Sequence, residues 1–219
     1  VVGAPASLIP FLAHDEANRA LMGTHMQSQA VPLITPQAPV VGTGMESAIS
    51  MSMGRVVVAP EDAVVTYADA GRVTIRMKDG QEETYTVEKF KRTSQSTCYN
   101  QRVIVEAGQK LKKETILIDG PSSENGELAL GTNVVVAYMS YDGLGYEDAI
   151  VISDRLVKED LLTSVNIEEY EASVVDTKLG IEETTRDIPN VGEEALRTLD
   201  EDGIVVVGAE VSPNDILVG

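Results

Sequence analysis

The sequence predicts a mainly β chain with short helices, an α+β fold that contains barrel-sandwich hybrid elements. Hydrophobic residues occupy 43% of the 219 positions but aromatics only 4%, with no Trp, so aliphatic side chains must form the core. From residue 55 onward, short runs of Val, Ile, Thr and Tyr alternate with turn signals, which is typical of sheets built from hairpins. In addition, a glycine-centred strand-turn-strand pattern occurs twice.

The N-terminal part differs from the rest. Residues 7–30 predict a helix that Asp15 is placed to open and that approaches its end at Gly23, with a second short helical piece, THMQSQA, after that glycine. Residues 31–54 contain Pro and Gly at short intervals and predict an extended, looping connector.

The β part begins with a hairpin signal. The residues KDG at 78–80 fit a tight turn between the strand-like runs RVTIRM and ETYTVE. Residues 101–141 continue with further strands and turns, including the Val-rich run at 134–136.

Two later segments are predicted to contain short helical pieces. Residues 149–175 predict a strand, a helical turn that starts near Ser153 or Asp154, and another strand. Residues 190–203 predict a short helix between Asn and Gly.

The glycine pattern relates residues 105–120 to residues 205–219 at an offset of one hundred positions. Each copy consists of a strand, a Gly turn, an apolar residue, a polar turn and an "IL" pair that enters a strand. Chance similarity of two hairpins is the alternative, but matched spacing favours a shared motif of the kind found in barrel-sandwich folds. Because a strand begins at the last residues, we expect an internal portion of a longer protein. The matched pairs are Gly108 and Gly208, Leu111 and Val211, and Ile116-Leu117 and Ile216-Leu217.

Charge and cysteine content restrict the function classes. A formal net charge of −18 means that the chain as a whole repels nucleic acid, so any such contact needs local residues or other chains. The single cysteine, Cys98, forms no internal disulfide, and no signal peptide or membrane-spanning run is present. These features predict a cytoplasmic chain with no membrane partner.

Most enzyme signatures are absent: there is no phosphate loop, no Cys/His metal spacing and no serine nucleophile elbow. Glu147 and Asp148 follow two turn-forming glycines, and adjacent carboxylates can hold Mg²⁺, often through water. An acidic loop in an already acidic protein is the simpler interpretation at this point. A stand-alone binding or carrier module is a further alternative, with Lys78 as the only lysine at a suitable turn.

Arg19 is the only Lys or Arg among residues 1–54, and uncharged polar residues surround it. A guanidinium can bind phosphate bidentately, and neutral amides can contact sugars and base edges. An amphipathic helix whose amides face another domain explains the same pattern equally well. The neighbouring polar residues are Asn18, Thr24, Gln27, Ser28 and Gln29.

Long motifs across the chain resemble the β-subunit family of bacterial DNA-directed RNA polymerases. These motifs are SLIPFLAHDEANRALMGTHMQSQAVPLI, PVVGTGME, YTVEKFKRTSQSTCYNQ, GELALGTNVVVAYMSYDGLGYEDAIVIS, DTKLGIEETTRDIPNVGEEALRTLDEDGIVVVGAEV and DILVG.

The resemblance implies four zones within a much longer subunit. Residues 1–54 would be a helical segment and connector, and residues 55–130 a barrel-sandwich hybrid-like region. Residues 131–180 would supply partial double-psi β-barrel strands with the acidic pair, and residues 181–219 the start of the flap or wall. The chain would form part of the main channel and of the nucleotide and RNA–DNA hybrid site.

The resemblance also implies site roles. Arg19 would contact the triphosphate of the incoming nucleotide and Gln29 the RNA near its 3′ end. Glu147 and Asp148 would lie near the second Mg²⁺, acting through water. Catalytic Mg²⁺ would be bound mainly by the β′ subunit, so the 219-residue chain alone is expected to lack nucleotidyltransferase activity. Expected partners are the β′ and α subunits, the rest of β, nucleoside triphosphates and the RNA–DNA hybrid.

Three positions depart from the family pattern. His25 stands where Asn is common, Ser28 where Arg is common, and Tyr146 where Phe is frequent. Ser28 removes a positive charge from the surface expected to face RNA, whereas His25 keeps hydrogen-bonding ability.

Overall fold

Side chains point alternately inward and outward along the two strands between residues 63 and 77. The computed structural model describes residues 1–178 and 180–219. Two compact units are present, residues 1–168 and residues 169–219, and each is considered by itself. The secondary structure is mainly β with short helices, and the strands of the described residues form small open sheets rather than a closed barrel. The predicted fold class is confirmed, whereas the four-zone division stays a prediction.

The four α-helices found in residues 1–178 and 180–219 lie in the first unit, where two 3₁₀ turns accompany them. The helices are α1 (Ala4–Ser7), α2 (Ala17–Ser28), α3 (Glu46–Ser52) and α4 (Arg155–Lys158), and the 3₁₀ turns are Leu12–His14 and Tyr146–Asp148.

The strands are short. In the first unit they are β1 (Val57–Val58), β2 (Ala63–Ala68), β3 (Arg72–Met77), β4 (Glu82–Thr86), β5 (Lys91–Arg92), β6 (Cys98–Tyr99), β7 (Arg102–Val103), β8 (Lys110–Leu111), β9 (Ile116–Asp119), β10 (Ser123–Glu124) and β11 (Glu127–Leu128). In the second unit they are β12 (Asp176–Thr177) and β13 (Gly180–Ile181).

The largest sheet has the strand order β4-β3-β2-β8 and is antiparallel throughout. The predicted KDG hairpin is confirmed, because β3 and β4 pair from Arg72↔Thr86 to Arg76↔Glu82. Gly80 has φ +86°, a conformation that L side chains rarely adopt, and it closes the turn.

A second sheet, β1-β9-β7, shares one hydrophobic core with the first. Val65, Val73 and Ile75 from β2 and β3 meet Leu117 and Ile118 from β9, and all five are at most 1% exposed. Two sheets that bury their inner faces against each other form a sandwich.

Helix α2 begins one residue later than Asp15 predicts and joins the two predicted helical pieces into one helix that ends at Ser28. The rest of the predicted helical zone is wrong at residues 8–16, which form turns and a 3₁₀ helix. Glu16, rather than Asp15, caps α2, since its carboxylate accepts from the backbone N–H of Arg19 at 3.0 Å. The helix also continues through Gly23, where a Cβ would lie 3.9 Å from the Ile9 side chain. A small residue there lets α1 and the turn after it pack closely on α2.

The prediction of a wholly extended connector over 31–54 is wrong, because α3 occupies its second half. Glu46 reaches back to accept from the backbone N–H groups of Thr43 and Gly44, both at 2.8 Å. The buried Ser50 hydroxyl meets the Ser123 hydroxyl at 3.2 Å. These contacts hold a helix within a Pro- and Gly-rich sequence.

Predicted strands at 134–136 and 149–153 form no ladder, although the helical turn at α4, which follows Asp154, is confirmed. The predicted helix at 190–203 is also wrong: this segment consists of turns, with Leu196 and Leu199 buried. Short helices form only with packing support, and here turns bury the two leucines instead.

The predicted repeat is confirmed by backbone geometry. Gly108 and Gly208 have φ +86° and +90°, and Glu114 and Asn214 have φ +68° and +74°. The hydrogen bonds recur at the same offset. They are Gln109 N to Glu106 O (3.2 Å) and Ala209 N to Val206 O (3.1 Å), then Thr115 N to Lys112 O and Asp215 N to Ser212 O (both 3.1 Å).

Candidate functional site

Helix α2 presents a polar stripe to solvent. Asn18, Arg19, His25 and Gln29 are exposed, and their spacing places them on one side of the helix together with Met22 and Met26. The pKa of Glu16 at the start of this helix is held below its usual value, chiefly by the backbone N–H of Arg19. The stripe therefore begins at a capped, well-defined helix end.

The Arg19 guanidinium is free to bind an anion. Its side-chain contact within α2 is a 3.6 Å approach of Nη1 to the Met22 sulfur, a weak acceptor. No ion pair involves Arg19 among residues 1–178 and 180–219. The five N–H donors of the guanidinium are therefore held on a rigid helix, and few acceptors within the chain compete for them.

Gln29 follows the last turn of α2 and is tied to His25. The amide Nε2 of Gln29 lies 2.8 Å from the ring Nε2 of His25 and donates to it in the tautomer in which that ring nitrogen is the acceptor. This leaves the Gln29 carbonyl oxygen available to a ligand. Ser28 donates to the His25 backbone carbonyl at 2.6 Å and so is satisfied within the helix.

Two of the polar residues predicted around Arg19 turn away from it. The Thr24 hydroxyl donates to the Ala20 carbonyl at 2.9 Å, and the Gln27 Oε1 atom is buried and accepts no hydrogen bond from the described residues. Gln27 lines a cavity of about 230 Å³ together with Thr132, whose hydroxyl is likewise buried and unpartnered. Helical periodicity could have separated these inward residues from the stripe.

Glu147 and Asp148 lie in the 3₁₀ turn after Gly145, and both have positive φ, +55° and +64°. Both are exposed, so their carboxylates face solvent. The turn belongs to a long irregular segment, in which Val135, Tyr138 and Ile150 are also exposed. The acidic pair is thus accessible on a bend rather than at the start of a strand, where the sequence had placed it.

The structure assembles each half of the predicted site but shows no contact between them. Arg19 lies in α2 and Gln29 at its C-terminal cap, whereas Glu147 and Asp148 share one turn. None of the hydrogen bonds among the described residues joins one pair to the other.

The fit of Mg²⁺ to this chain is partial. Two adjacent exposed carboxylates are the hard oxygen donors that Mg²⁺ prefers, and they leave room for water ligands. In the described parts of the chain, however, no group of three or more His, Cys, Asp or Glu side chains could hold a metal ion. The pair therefore suits a metal that arrives with other ligands, such as nucleotide phosphates.

Lys78, the residue on which the carrier alternative depends, is engaged. Its ammonium donates to Asp62 at 2.6 Å, and this hydrogen bond raises the Lys78 pKa above its usual value. A lysine held in an ion pair is less available for acylation, so nothing here favours a carrier.

None of the helices among the described residues is long and apolar enough to cross a membrane.

Comparison with known proteins assigns the family. The model of "RNA polymerase Rpb2, domain 6" matches residues 58–219. The chain is similar to the DNA-directed RNA polymerase subunit beta of Streptococcus sanguinis strain SK36, Streptococcus gordonii strain Challis and Streptococcus pneumoniae strain JJA. Each is 55% identical over 219 residues, which is 100% of this chain and 18% of the relative. Helix α2 precedes the family match but lies within the alignments to these relatives. The chain therefore belongs to the RNA polymerase β-subunit family.

Proposed function

We propose that this chain forms part of the main channel and of the nucleotide and RNA–DNA hybrid site of a DNA-directed RNA polymerase. The observation that carries the proposal is the unpaired Arg19 guanidinium on the exposed stripe of α2, within a chain of net charge −18. A cation without a carboxylate partner in so acidic a chain is best explained by an anionic ligand. The triphosphate of an incoming nucleotide supplies that anion.

Within such a site, Arg19 binds and orients phosphate oxygens through bidentate, charge-assisted hydrogen bonds. Gln29 lies about three helical turns away on the same stripe. Its free carbonyl oxygen accepts from a 2′-hydroxyl near the RNA 3′ end. The intervening Met22 and Met26 give the stripe an adaptable apolar surface against bases or sugars.

Glu147 and Asp148 have a supporting role. When bound with the nucleotide, Mg²⁺ neutralises phosphate charge and holds the triphosphate in a reactive geometry. The two carboxylates would hold such an ion through its water ligands and so would restrict where the nucleotide can sit. Their placement on a solvent-exposed turn supports a water-mediated role.

The rest of the enzyme must supply what this chain lacks. We expect the β′ and α subunits and the rest of β to surround it, and a cytoplasmic setting. The isolated 219-residue chain should synthesise no RNA, and its net charge should keep its affinity for an RNA–DNA hybrid weak at physiological salt. Submicromolar binding or template-dependent synthesis by the isolated chain would contradict this.

The direct test replaces the matching portion of the Streptococcus pneumoniae β subunit with this chain and assembles the polymerase. Arg19→Ala should raise the KM for nucleoside triphosphates about 10-fold or more, because charge-assisted hydrogen bonds are lost. Arg19→Lys should be intermediate, since an ammonium cannot bind bidentately.

Arg76→Ala is the matched control, because Arg76 is an exposed arginine on β3 already paired with Glu82 at 2.8 Å. It should leave the KM unchanged. Equal effects of the Arg19 and Arg76 substitutions, or no effect of either, would overturn the assignment of Arg19.

A further inference from the structure

The segment that follows α2 holds both ends of the loop that carries the acidic pair. We define residues 33–40 as the strap and residues 131–164 as the acidic loop. The strap begins only a few residues after Gln29, so it continues directly from the helix that carries Arg19. In sequence the strap and the acidic loop are about a hundred residues apart.

At the first end of the acidic loop, the strap makes a dense set of hydrogen bonds. The backbone N–H of Gln37 donates to the Gly131 carbonyl at 2.9 Å, and the backbone N–H of Asn133 donates to Gln37 Oε1 at 3.0 Å. The Asn133 amide then donates to the Ala38 carbonyl at 2.8 Å and accepts from the Val40 N–H at 3.3 Å. The Asn133 side chain thus uses both its donor and its acceptor atom on the strap backbone, whereas the Gln37 side chain uses its acceptor oxygen on the backbone of the acidic loop.

At the second end, the strap pairs with the residues that close the loop. Leu33 forms an antiparallel bridge with Ser164, and the backbone N–H of Ile34 donates to the Thr163 carbonyl at 3.0 Å. Pro36, between the two contact points, is buried. The strap is therefore fixed along its length rather than at one point.

Between these ends the acidic loop has little support of its own. It contains only α4 and one 3₁₀ turn, and several of its large apolar side chains are exposed. The two fixed ends consequently set where its middle, with Glu147 and Asp148, can lie. A shift of either end would displace the carboxylates relative to α2.

We propose that Gln37 and Asn133 are positioning residues, which act through the strap to hold the acidic pair in register with Arg19. This inference rests on the proposed function, because it assumes that both halves serve one nucleotide site. It predicts that loosening the strap weakens the use of nucleotide and Mg²⁺ without removing any group that touches them. Contacts to the nucleotide and its metal are sensitive to displacements of about 1 Å, so small shifts have measurable consequences for binding.

The test uses the assembled polymerase that carries this chain within its β subunit. Asn133→Leu and Gln37→Met keep the approximate side-chain volume but remove the side-chain hydrogen bonds. Each should raise the KM for nucleoside triphosphate and the Mg²⁺ concentration for half-maximal rate by about 3- to 10-fold, the range expected for one to two net hydrogen bonds. The kcat at saturating nucleotide and Mg²⁺ should stay within about twofold of the parent.

Ser50→Ala is the control for general loss of stability. It removes the buried contact between Ser50 and Ser123, which lies in the same unit, and neither of these two residues hydrogen-bonds to the strap or the acidic loop among the described residues. It should lower the melting temperature while leaving the KM for nucleoside triphosphate and the Mg²⁺ concentration for half-maximal rate unchanged. If it raises them as much as Asn133→Leu does, the strap has only a structural role and the proposal is overturned.

A double-mutant comparison separates this inference from the function on which it rests. The variant Glu147→Gln/Asp148→Asn should itself raise the Mg²⁺ concentration for half-maximal rate. Adding Asn133→Leu to that variant should raise this concentration by much less than adding Asn133→Leu to the parent, because the side chains that the strap positions are already neutral. Additive effects would show that the strap acts elsewhere. If the acidic-pair variant has an effect but the strap variants have none, the strap inference alone fails. If the acidic-pair variant has no effect, the proposed role of the pair fails first and the inference fails with it.

Discussion

Residues 105–120 and residues 205–219 have the same turns but different surroundings. In both copies a glycine with φ near +90° is followed six residues later by a second residue with positive φ, and the turn hydrogen bonds match. The first copy nevertheless lies against β2 in the core of the first unit, with Leu111 4% exposed. In the second copy, the matching Val211 is 49% exposed.

This difference separates local from long-range determinants of structure. The turns depend on glycine and on short polar side chains within each copy, so they form wherever the pattern occurs. Burial depends on a strand from elsewhere: Val65 accepts from the Gly108 N–H at 2.8 Å in the first copy. Within the described residues, Gly208 N–H has no such acceptor.

The largest predicted difference in unfolding free energy is between substitutions of Leu117 and Leu217, the leucines of the two "IL" pairs. Leu117→Ala should lower the free energy of unfolding of the first unit by about 3 kcal/mol, because Leu117 is fully buried and its removal leaves a cavity. Leu217→Ala should cost the second unit about 1 kcal/mol, since Leu217 is only half-buried. Native-state hydrogen exchange in increasing urea measures each unit separately.

Equal costs for the two leucines would show that burial does not distinguish the copies. Val64→Ala serves as a control, because Val64 lies on β2 beside the first copy but is 40% exposed, and its truncation should have a small effect.

Substitution of the turn glycine should lower the free energy of unfolding to a similar extent in both copies. Gly108→Ala and Gly208→Ala each place a Cβ in a left-handed conformation, although neither Cβ would meet another atom within 4 Å. Each should cost its own unit about 1–2 kcal/mol from backbone strain alone. A cost at Gly108 several times that at Gly208 would mean that pairing with β2, rather than the turn, requires the glycine.

A smaller effect is expected at the polar turn. Thr115 Oγ1 accepts from Lys112 N–H at 3.2 Å, and Asp215 Oδ2 accepts from Ser212 N–H at 2.8 Å, at matching positions. Thr115→Ala and Asp215→Ala should each cost about 0.5–1 kcal/mol, the net value of one hydrogen bond. Urea-dependent exchange of amides in each unit gives both values, and no effect at either would remove these side chains as turn determinants.

The smallest effect is a pH dependence at the contact that Asp62 makes with the first copy. Asp62 accepts from Lys78 and from the backbone N–H of Lys113, and the Lys78 hydrogen bond is the main cause that lowers the pKa of Asp62 below 3.8. A lowered carboxyl pKa stabilises the fold above the unfolded value and loses that contribution as pH falls through the folded value.

The loss should therefore occur below about pH 4, and Asp62→Asn should remove it. Carbon-13 titration of the Asp62 carboxyl measures the midpoint directly. A midpoint at or above 3.8 would contradict the hydrogen-bond assignment.

Local chemistry made several elements predictable. The KDG hairpin follows from Gly80 at a position that needs positive φ, and the repeat follows from glycines at matched spacing. Helix α2 was predictable from its composition, although its cap, Glu16, was not distinguishable from the adjacent Asp15 without the backbone geometry.

Features that depend on distant contacts were not predictable. Helix α3 lies in a segment whose Pro and Gly content is typical of a loop. The buried contact that holds it, between Ser50 and Ser123, joins residues 73 positions apart, so the local sequence does not indicate it. The run at 134–136 has strand composition but no partner among the described residues, so its side chains stay exposed. In the candidate site, the resemblance supplied Arg19 and Gln29, but no local signal marked Gln37 and Asn133, which meet across 96 positions.

Hydrogen exchange at two matched amides, those of Gly108 and Gly208 in the 219-residue chain, tests most directly whether a distant strand determines burial. Strong protection is expected at Gly108, whose N–H donates to the Val65 carbonyl, and rapid exchange at Gly208. The turn amides Gln109 and Ala209, which are hydrogen-bonded in both copies, serve as the internal reference. Similar protection at Gly108 and Gly208 would contradict the claim that local sequence determines the turns and a distant strand determines the burial.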